Sequence, residues 1–149
     1  MNEHGFIKAV HRKLPPALYR WKIHDNFTGG VPDAWYAGPN GSLFIEYKYV
    51  TLPKKPSTRI KTGLSALQLA WLDTMCDYKV VVAVIIGSKT GAIILTRKDW
   101  HKPLFNTDFD QGLSIANTSK WIAQKLNGNQ NEQAKPNSSN SKLEKPLGN

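Results

Sequence analysis

Gly30-Val31-Pro32-Asp33-Ala34-Trp35-Tyr36-Ala37-Gly38-Pro39-Asn40-Gly41-Ser42-Leu43-Phe44-Ile45-Glu46-Tyr47-Lys48 reads as two strands joined by a tight turn. Both flanks are rich in aromatic and branched residues, and Gly38-Pro39-Asn40-Gly41 between them is a hairpin signal. With Pro39-Asn40 as the turn centre, Asp33 opposes Glu46; with Asn40-Gly41 as the centre it opposes Lys48. Side chains alternate with period two, so both registers put Asp33 on the face that carries Glu46 and Lys48. A loop of odd length would turn Asp33 to the other face. Two carboxylates facing each other across a ladder repel by about 0.2–1 kcal/mol, and a cation between them removes that cost. A pair of hard oxygen ligands suits Mg²⁺, which binds through one or two carboxylates, waters and phosphate oxygens. Lys48, two residues beyond Glu46, is placed to orient a water and offset charge on a phosphate. The bland alternative is an exposed hairpin with scattered polar residues.

Pro32-Asp33 followed by Glu46-Tyr47-Lys48 resembles the signature of the PD-(D/E)xK nuclease superfamily. Gly30-Val31-Pro32-Asp33 is similar to the form found in its VRR-NUC branch and in small phage endonucleases, which are themselves similar to archaeal-type Holliday-junction resolvases. The resemblance spans Glu3 to Leu95; the Val-Arg-Arg element of the branch does not follow Gln68. It implies a restriction-endonuclease-like α/β fold, an α-β-β-β-α-β core with a mixed central sheet flanked by helices. It also implies a metal-dependent endonuclease that hydrolyses DNA phosphodiesters. Asp33, Glu46, Lys48 and Gln68 would be catalytic. Asp33, Glu46, the carbonyl of Tyr47 and the early-helix acid Glu3 would hold Mg²⁺, with Mn²⁺ as a substitute. Glu3 also reads as a helix-start acid beside the positive end of the dipole, and Gln68 as an exposed helix residue. Asp25 reads as an acid that supports the metal ligands from behind or as a loop cap in Asp25-Asn26.

The chain has 149 residues and a formal net charge of +9. From Asn127 onward it is Asn/Ser/Gln/Lys/Pro-rich with almost no large apolar residue, so residues 1–126 read as the nuclease domain and 127–149 as a disordered polar tail. Three lysines against two glutamates give the tail one net positive charge, which leaves eight for the rest. Such an excess points to a polyanionic partner, DNA in the first instance. Lys54, Lys55, Arg59 and Lys61 lie in a proline-containing loop that leaves the Glu46 strand, placed to contact phosphates together with Lys22. Phosphate contacts position a substrate without reading its sequence, and no base-reading module is evident, so recognition of branched or otherwise structured DNA is expected. The competing class is a nuclease-fold accessory protein that binds nucleic acid without cutting it. Trp35, Tyr36, Tyr47, Tyr49 and Trp71 read as core or interface aromatics rather than stacking platforms.

Cys76 is the sole cysteine, which excludes an internal disulfide and a cysteine zinc site. His4, His11, His24 and His101 lack metal-ligand spacing and read as surface or packing residues. No apolar run is long enough to span a bilayer and no signal peptide is evident; the expected compartment is the cytoplasm, the host's if the gene is phage-borne. A homodimer would suit a junction-cutting enzyme, which needs two sites related by symmetry. Spacing predicts helices over Glu3–Lys13, Ser65–Met75 (amphipathic) and Ser114–Leu126, a short helical turn from Thr96, and strands over Tyr19–His24, Lys79–Ile86 and Ala92–Leu95.

Overall fold

The computed structural model describes residues 1–25 and 27–128; of the tail expected over 127–149, Asn127 ends the last helix instead and residues 129–149 lie outside the described residues. Five strands form one sheet in the order β1-β2-β3-β4-β5, with β1 Tyr19–Lys22, β2 Ala34–Gly38, β3 Gly41–Tyr49, β4 Val82–Ser88 and β5 Gly91–Leu95. Only β3 and β4 run parallel, and the helix α2 (Ala66–Asp77) makes the crossover between them. Helices α1 (Glu3–Arg12) and α3 (Ile115–Asn127) complete the α-β-β-β-α-β-β-α order. This is the α/β architecture with a mixed central sheet flanked by helices that the sequence led one to expect.

Strand alternation divides the core in two. Leu43, Ile45 and Tyr47 of β3 join Ala34 and Tyr36 of β2 beneath α1 and α3. On the other face Val82, Val84 and Ile86 of β4 pack with Leu72 of α2, and with Trp100 and Phe109 from two 3₁₀ turns, Asp99–His101 and Asn106–Phe109. The first of these turns answers to the expected helical start at Thr96; the second lay in a segment with no periodic signal.

The hairpin turn is centred on Pro39-Asn40, for Gly38 pairs with Gly41 and Ala34 with Ile45. Of the two registers open from sequence, this one sets Asp33 opposite Glu46. Strand β3 is fixed from behind by its own aromatics. The buried Tyr47 hydroxyl lies 2.6 Å from that of Tyr36, which is hydrogen-bonded in turn to the His11 ring of α1. Burial lowers the His11 pKa, with the positive charges of Arg20 and Lys22 acting in the same sense. The chain of bonds satisfies hydroxyls that would otherwise be costly in a core.

Two expectations are corrected. Strand β1 ends at Lys22, not His24, although the Ile23 N–H still donates to the Asp33 carbonyl at 2.8 Å. Helix α2 buries fully only Leu72, while Leu67 is 63% exposed. Its apolar residues spread around the axis rather than forming one stripe, because Leu69 and Trp71 cover the sheet from its side and Leu67 meets the Gly29 turn instead. Among the described residues no helix is long and apolar enough to cross a membrane.

Candidate active site

Asp33 stands at the start of β2 and Glu46 near the end of β3, side by side on the α2 face of the sheet. The Asp33 Oδ2 accepts the Tyr47 N–H at 2.9 Å, which aims the carboxylate at the β3 backbone just past the last ladder pair. In an antiparallel pair a residue's N–H and C=O face the same neighbouring strand, so the Tyr47 carbonyl opens toward Asp33 as well.

Glu46 is 2% exposed. Its Oε1 accepts from the Gln68 side-chain amide at 2.8 Å and lies 3.5 Å from Lys48 Nζ. Its Oε2 is buried without a hydrogen-bond partner. Burial is the main reason its pKa is pushed up from 4.5 to about 8; the Asp33 charge adds to the rise and Lys48 opposes it. An orphaned, desolvated carboxylate oxygen beside a second carboxylate is a costly arrangement for a fold with no cation there. Asp33, Glu46 and the Tyr47 carbonyl form a hard oxygen set that fits a divalent ion such as Mg²⁺ completed by waters.

Gln68 owes its orientation to the start of α2. Ser65 caps the helix, accepting the Gln68 N–H at 3.1 Å, and the Gln68 Oε1 accepts the Ser65 N–H at 2.9 Å. This capping box uses up the amide oxygen, so the Nε2 donors face Glu46. Replacing Gln68 by Ala removes both contacts. The expected result is a loss of about 1–2 kcal/mol of stability by chemical denaturation and a 10–100-fold drop in any activity that depends on Glu46.

Gly30 ties the Asp33 strand to the same helix. Its φ is +85°, and a Cβ there would stand 2.4 Å from the Leu67 carbonyl oxygen. Only glycine combines that conformation with that approach, so the Gly29-Gly30 turn sets Asp33 relative to Gln68.

The remaining candidates divide. Glu3, at the first turn of α1, lines a cavity of about 530 Å³ with Lys48, Arg59 and Lys61. Burial raises its pKa, with Lys48 lowering and Asp33 raising it, so it is within their fields. Yet among the described residues no three His, Cys, Asp or Glu side chains converge enough to hold an ion; Glu3 enters from the opposite layer and stays outside the Asp33/Glu46 pair. The basic loop is pinned by buried Ile60, whose N–H donates to Leu104 at 2.8 Å. Its neighbours Arg59 and Lys61 are thereby held out beside Lys48, whereas Lys54 and Lys55 are exposed and outside that cavity. Lys22 departs from expectation. Alternation turns it toward α1, where its Nζ lies 3.5 Å from His4 Nδ1, on the face away from Asp33. Asp25 is a loop cap: its Oδ1 accepts from the N–H groups of Phe27 and Thr28 at 2.8 and 3.1 Å, which lowers its pKa.

The sequence placed Ser65 at the start of this helix, as found, but its capping box, which Ser-x-x-Gln at 65–68 could have signalled, was missed, as was the part of His101 and Lys102. These two line a second cavity, of about 390 Å³, with Arg59 and Lys61 on the far side of the basic loop. No local pattern announces them, because a 3₁₀ turn distant in sequence brings them there.

No family model and no curated protein sequence matches the chain. Among solved structures it is similar to Hjc, a Holliday junction resolvase from the archaeal hyperthermophile Archaeoglobus fulgidus. The TM-score is 0.46 and the identity 15%, over 78% of this chain and 96% of that one.

Proposed function

We propose that this protein is a divalent-metal-dependent endonuclease that hydrolyses DNA phosphodiester bonds, selecting branched or otherwise structured DNA rather than a sequence. The observation that carries the reading is the buried Glu46 carboxylate, with one unpartnered oxygen, set beside Asp33 and 3.5 Å from Lys48. Asp33, Glu46 and the Tyr47 carbonyl would hold Mg²⁺ or Mn²⁺, with Glu3 acting through a water. When bound, the ion supplies Lewis acidity toward the phosphate and a lowered pKa for water. Lys48 Nζ donates to the attacking water, orients it along the sheet face, and offsets charge that gathers on the phosphoryl oxygens. Gln68 holds the Glu46 carboxylate in one orientation. Arg59 and Lys61 bind flanking phosphates across the cavity mouth, and Lys54 and Lys55 add to the basic loop's field. A phage-borne gene acting in the host cytoplasm, and a homodimer that presents two such sites to a junction, accord with the sequence resemblance.

The deciding measurement is cleavage of a panel comprising a four-way junction, a flap, nicked duplex, linear duplex and single strands, with Mg²⁺ and with chelator. Mg²⁺-dependent cutting of the branched members is expected, with Lys48→Ala about 10²–10³-fold slower. A purified, folded protein that binds these DNAs yet cuts none with Mg²⁺ or Mn²⁺ would be an accessory binding protein instead.

A further inference from the structure

A cleft of about 510 Å³ opens on the sheet beside Asp33, lined by Trp21, Ile23, Val31, Phe44 and Trp71. Its volume falls within the roughly 300–1,000 Å³ of small-ligand sites. Trp21 pairs with Trp35 across β1 and β2, and Ile23 lies across from Asp33, to whose carbonyl its N–H is bonded. The cleft and the Asp33/Glu46 pair therefore share one face, a single residue pair apart. Its aromatic walls are already ordered. Phe44 meets Trp71 edge-on at 5.3 Å. Trp21 stands at the open rim, 53% exposed, although a tryptophan normally covers most of its surface. No part of the described chain covers it.

We propose that this cleft receives an unpaired nucleobase of the nucleic acid whose phosphate is held at Asp33 and Glu46, stacked against Trp21. The inference rests on the reading of that pair as a phosphodiester site, and it narrows the substrate to DNA with unstacked nucleotides next to the cut. A base offers a flat apolar face to such walls, and base–aromatic stacking tolerates any sequence. Charge complementarity favours this occupant over an apolar protein segment. The chain carries +9, and a strand whose phosphate sits at Asp33 and Glu46 would bring its neighbouring base within one residue pair of the cleft.

The test compares two fluorescent duplexes that differ only in a short bulge, made either of thymidines or of abasic tetrahydrofuran residues with the same phosphates. Binding is measured by anisotropy in chelator, so that cleavage plays no part. The wild-type protein is expected to prefer the base-bearing bulge by about tenfold. Trp21→Ala should lose that preference while binding the abasic bulge unchanged, and Trp21→Phe should keep part of it; thermal melts check that both variants fold. Equal affinity of the wild type for the two bulges overturns the proposal, as does a preference that survives Trp21→Ala. So does sedimentation showing a dimer that Trp21→Ala dissociates, because the cleft would then be an interface between copies. A base preference without any Mg²⁺-dependent cutting would retain the cleft's role and refute the nuclease reading. Cutting without base preference would do the reverse.

Discussion

Asp33→Asn and Glu46→Gln are each expected to slow Mg²⁺-dependent DNA cleavage by at least about a thousandfold while leaving DNA binding in chelator unchanged or tighter. Losing one charged ligand from a two-carboxylate set forfeits several kcal/mol of charge stabilisation in the transition state, and each ~1.4 kcal/mol is a factor of ten in rate. The isosteric replacements matter here. An asparagine at position 33 still offers a side-chain oxygen to the Tyr47 N–H, now engaged at 2.9 Å, so β2 and β3 keep their alignment. A glutamine at position 46 keeps an oxygen for Gln68 and for Lys48, at 2.8 and 3.5 Å. A carboxylate repels phosphate, so its removal cannot weaken binding by electrostatics. Single-turnover cleavage of the best substrate, beside anisotropy with the same DNA, measures both quantities. If either variant cuts within a few-fold of the wild-type rate, the assignment of that residue fails. If binding falls together with cutting, the pair holds DNA rather than acting on it.

How legible this site was in the sequence depended on the range of the physics behind each residue. Asp33, Glu46 and Lys48 share a face because strand side chains alternate and the turn holds two residues, both local facts. Which of two even registers occurs was not local: the turn centre at Pro39-Asn40 is set where the Asn40 N–H meets the Leu126 carbonyl of α3 at 2.6 Å, a contact far away in sequence. Gln68 could be read as exposed or engaged, because its role follows from where α2 docks; the Gly30 turn that seats Leu67 decides that. Lys22 was misplaced for a simpler reason. In Trp21-Lys22 one residue must face Asp33, and composition gives the basic residue no priority over the aromatic one; pairing with Trp35 hands that face to Trp21. The buried state of Tyr36 and Tyr47 was foreseen, but their hydroxyl chain to His11 required α1 to be in place.

The second large effect concerns stability and needs no DNA. Glu46 holds its proton up to about pH 8 in the folded, metal-free chain, against 4.5 for an ordinary glutamate. The folded state therefore binds more protons than the unfolded state between those values, so unfolding free energy should fall as pH rises through that window and level off above it. The full effect is on the order of 5 kcal/mol at ~1.36 kcal/mol per unit, full stability being present below about pH 4.5. Glu46→Gln has no proton to lose. The difference between its denaturation free energy and that of the wild type should grow in the variant's favour from about pH 5 to about pH 8.5, which separates Glu46 from every other titrating group. Mg²⁺ should act on the same carboxylate in the opposite sense. At about pH 8 an ion at a hundred times its dissociation constant adds ~2.7 kcal/mol, several degrees in melting temperature for a domain of this size. At about pH 5 the proton on Glu46 competes with the ion, and the same concentration should add much less. Parallel pH profiles for wild type and Glu46→Gln would show that Glu46 is not the buried acid of this window. A Mg²⁺ shift that persists undiminished in Glu46→Gln, or that is equal at both pH values, would place the ion elsewhere on the chain. The proton and the cation are thus alternative occupants of the Asp33/Glu46 pair, whose side-chain hydrogen bond helps to hold that proton on Glu46, and their competition is what ties stability to the proposed chemistry.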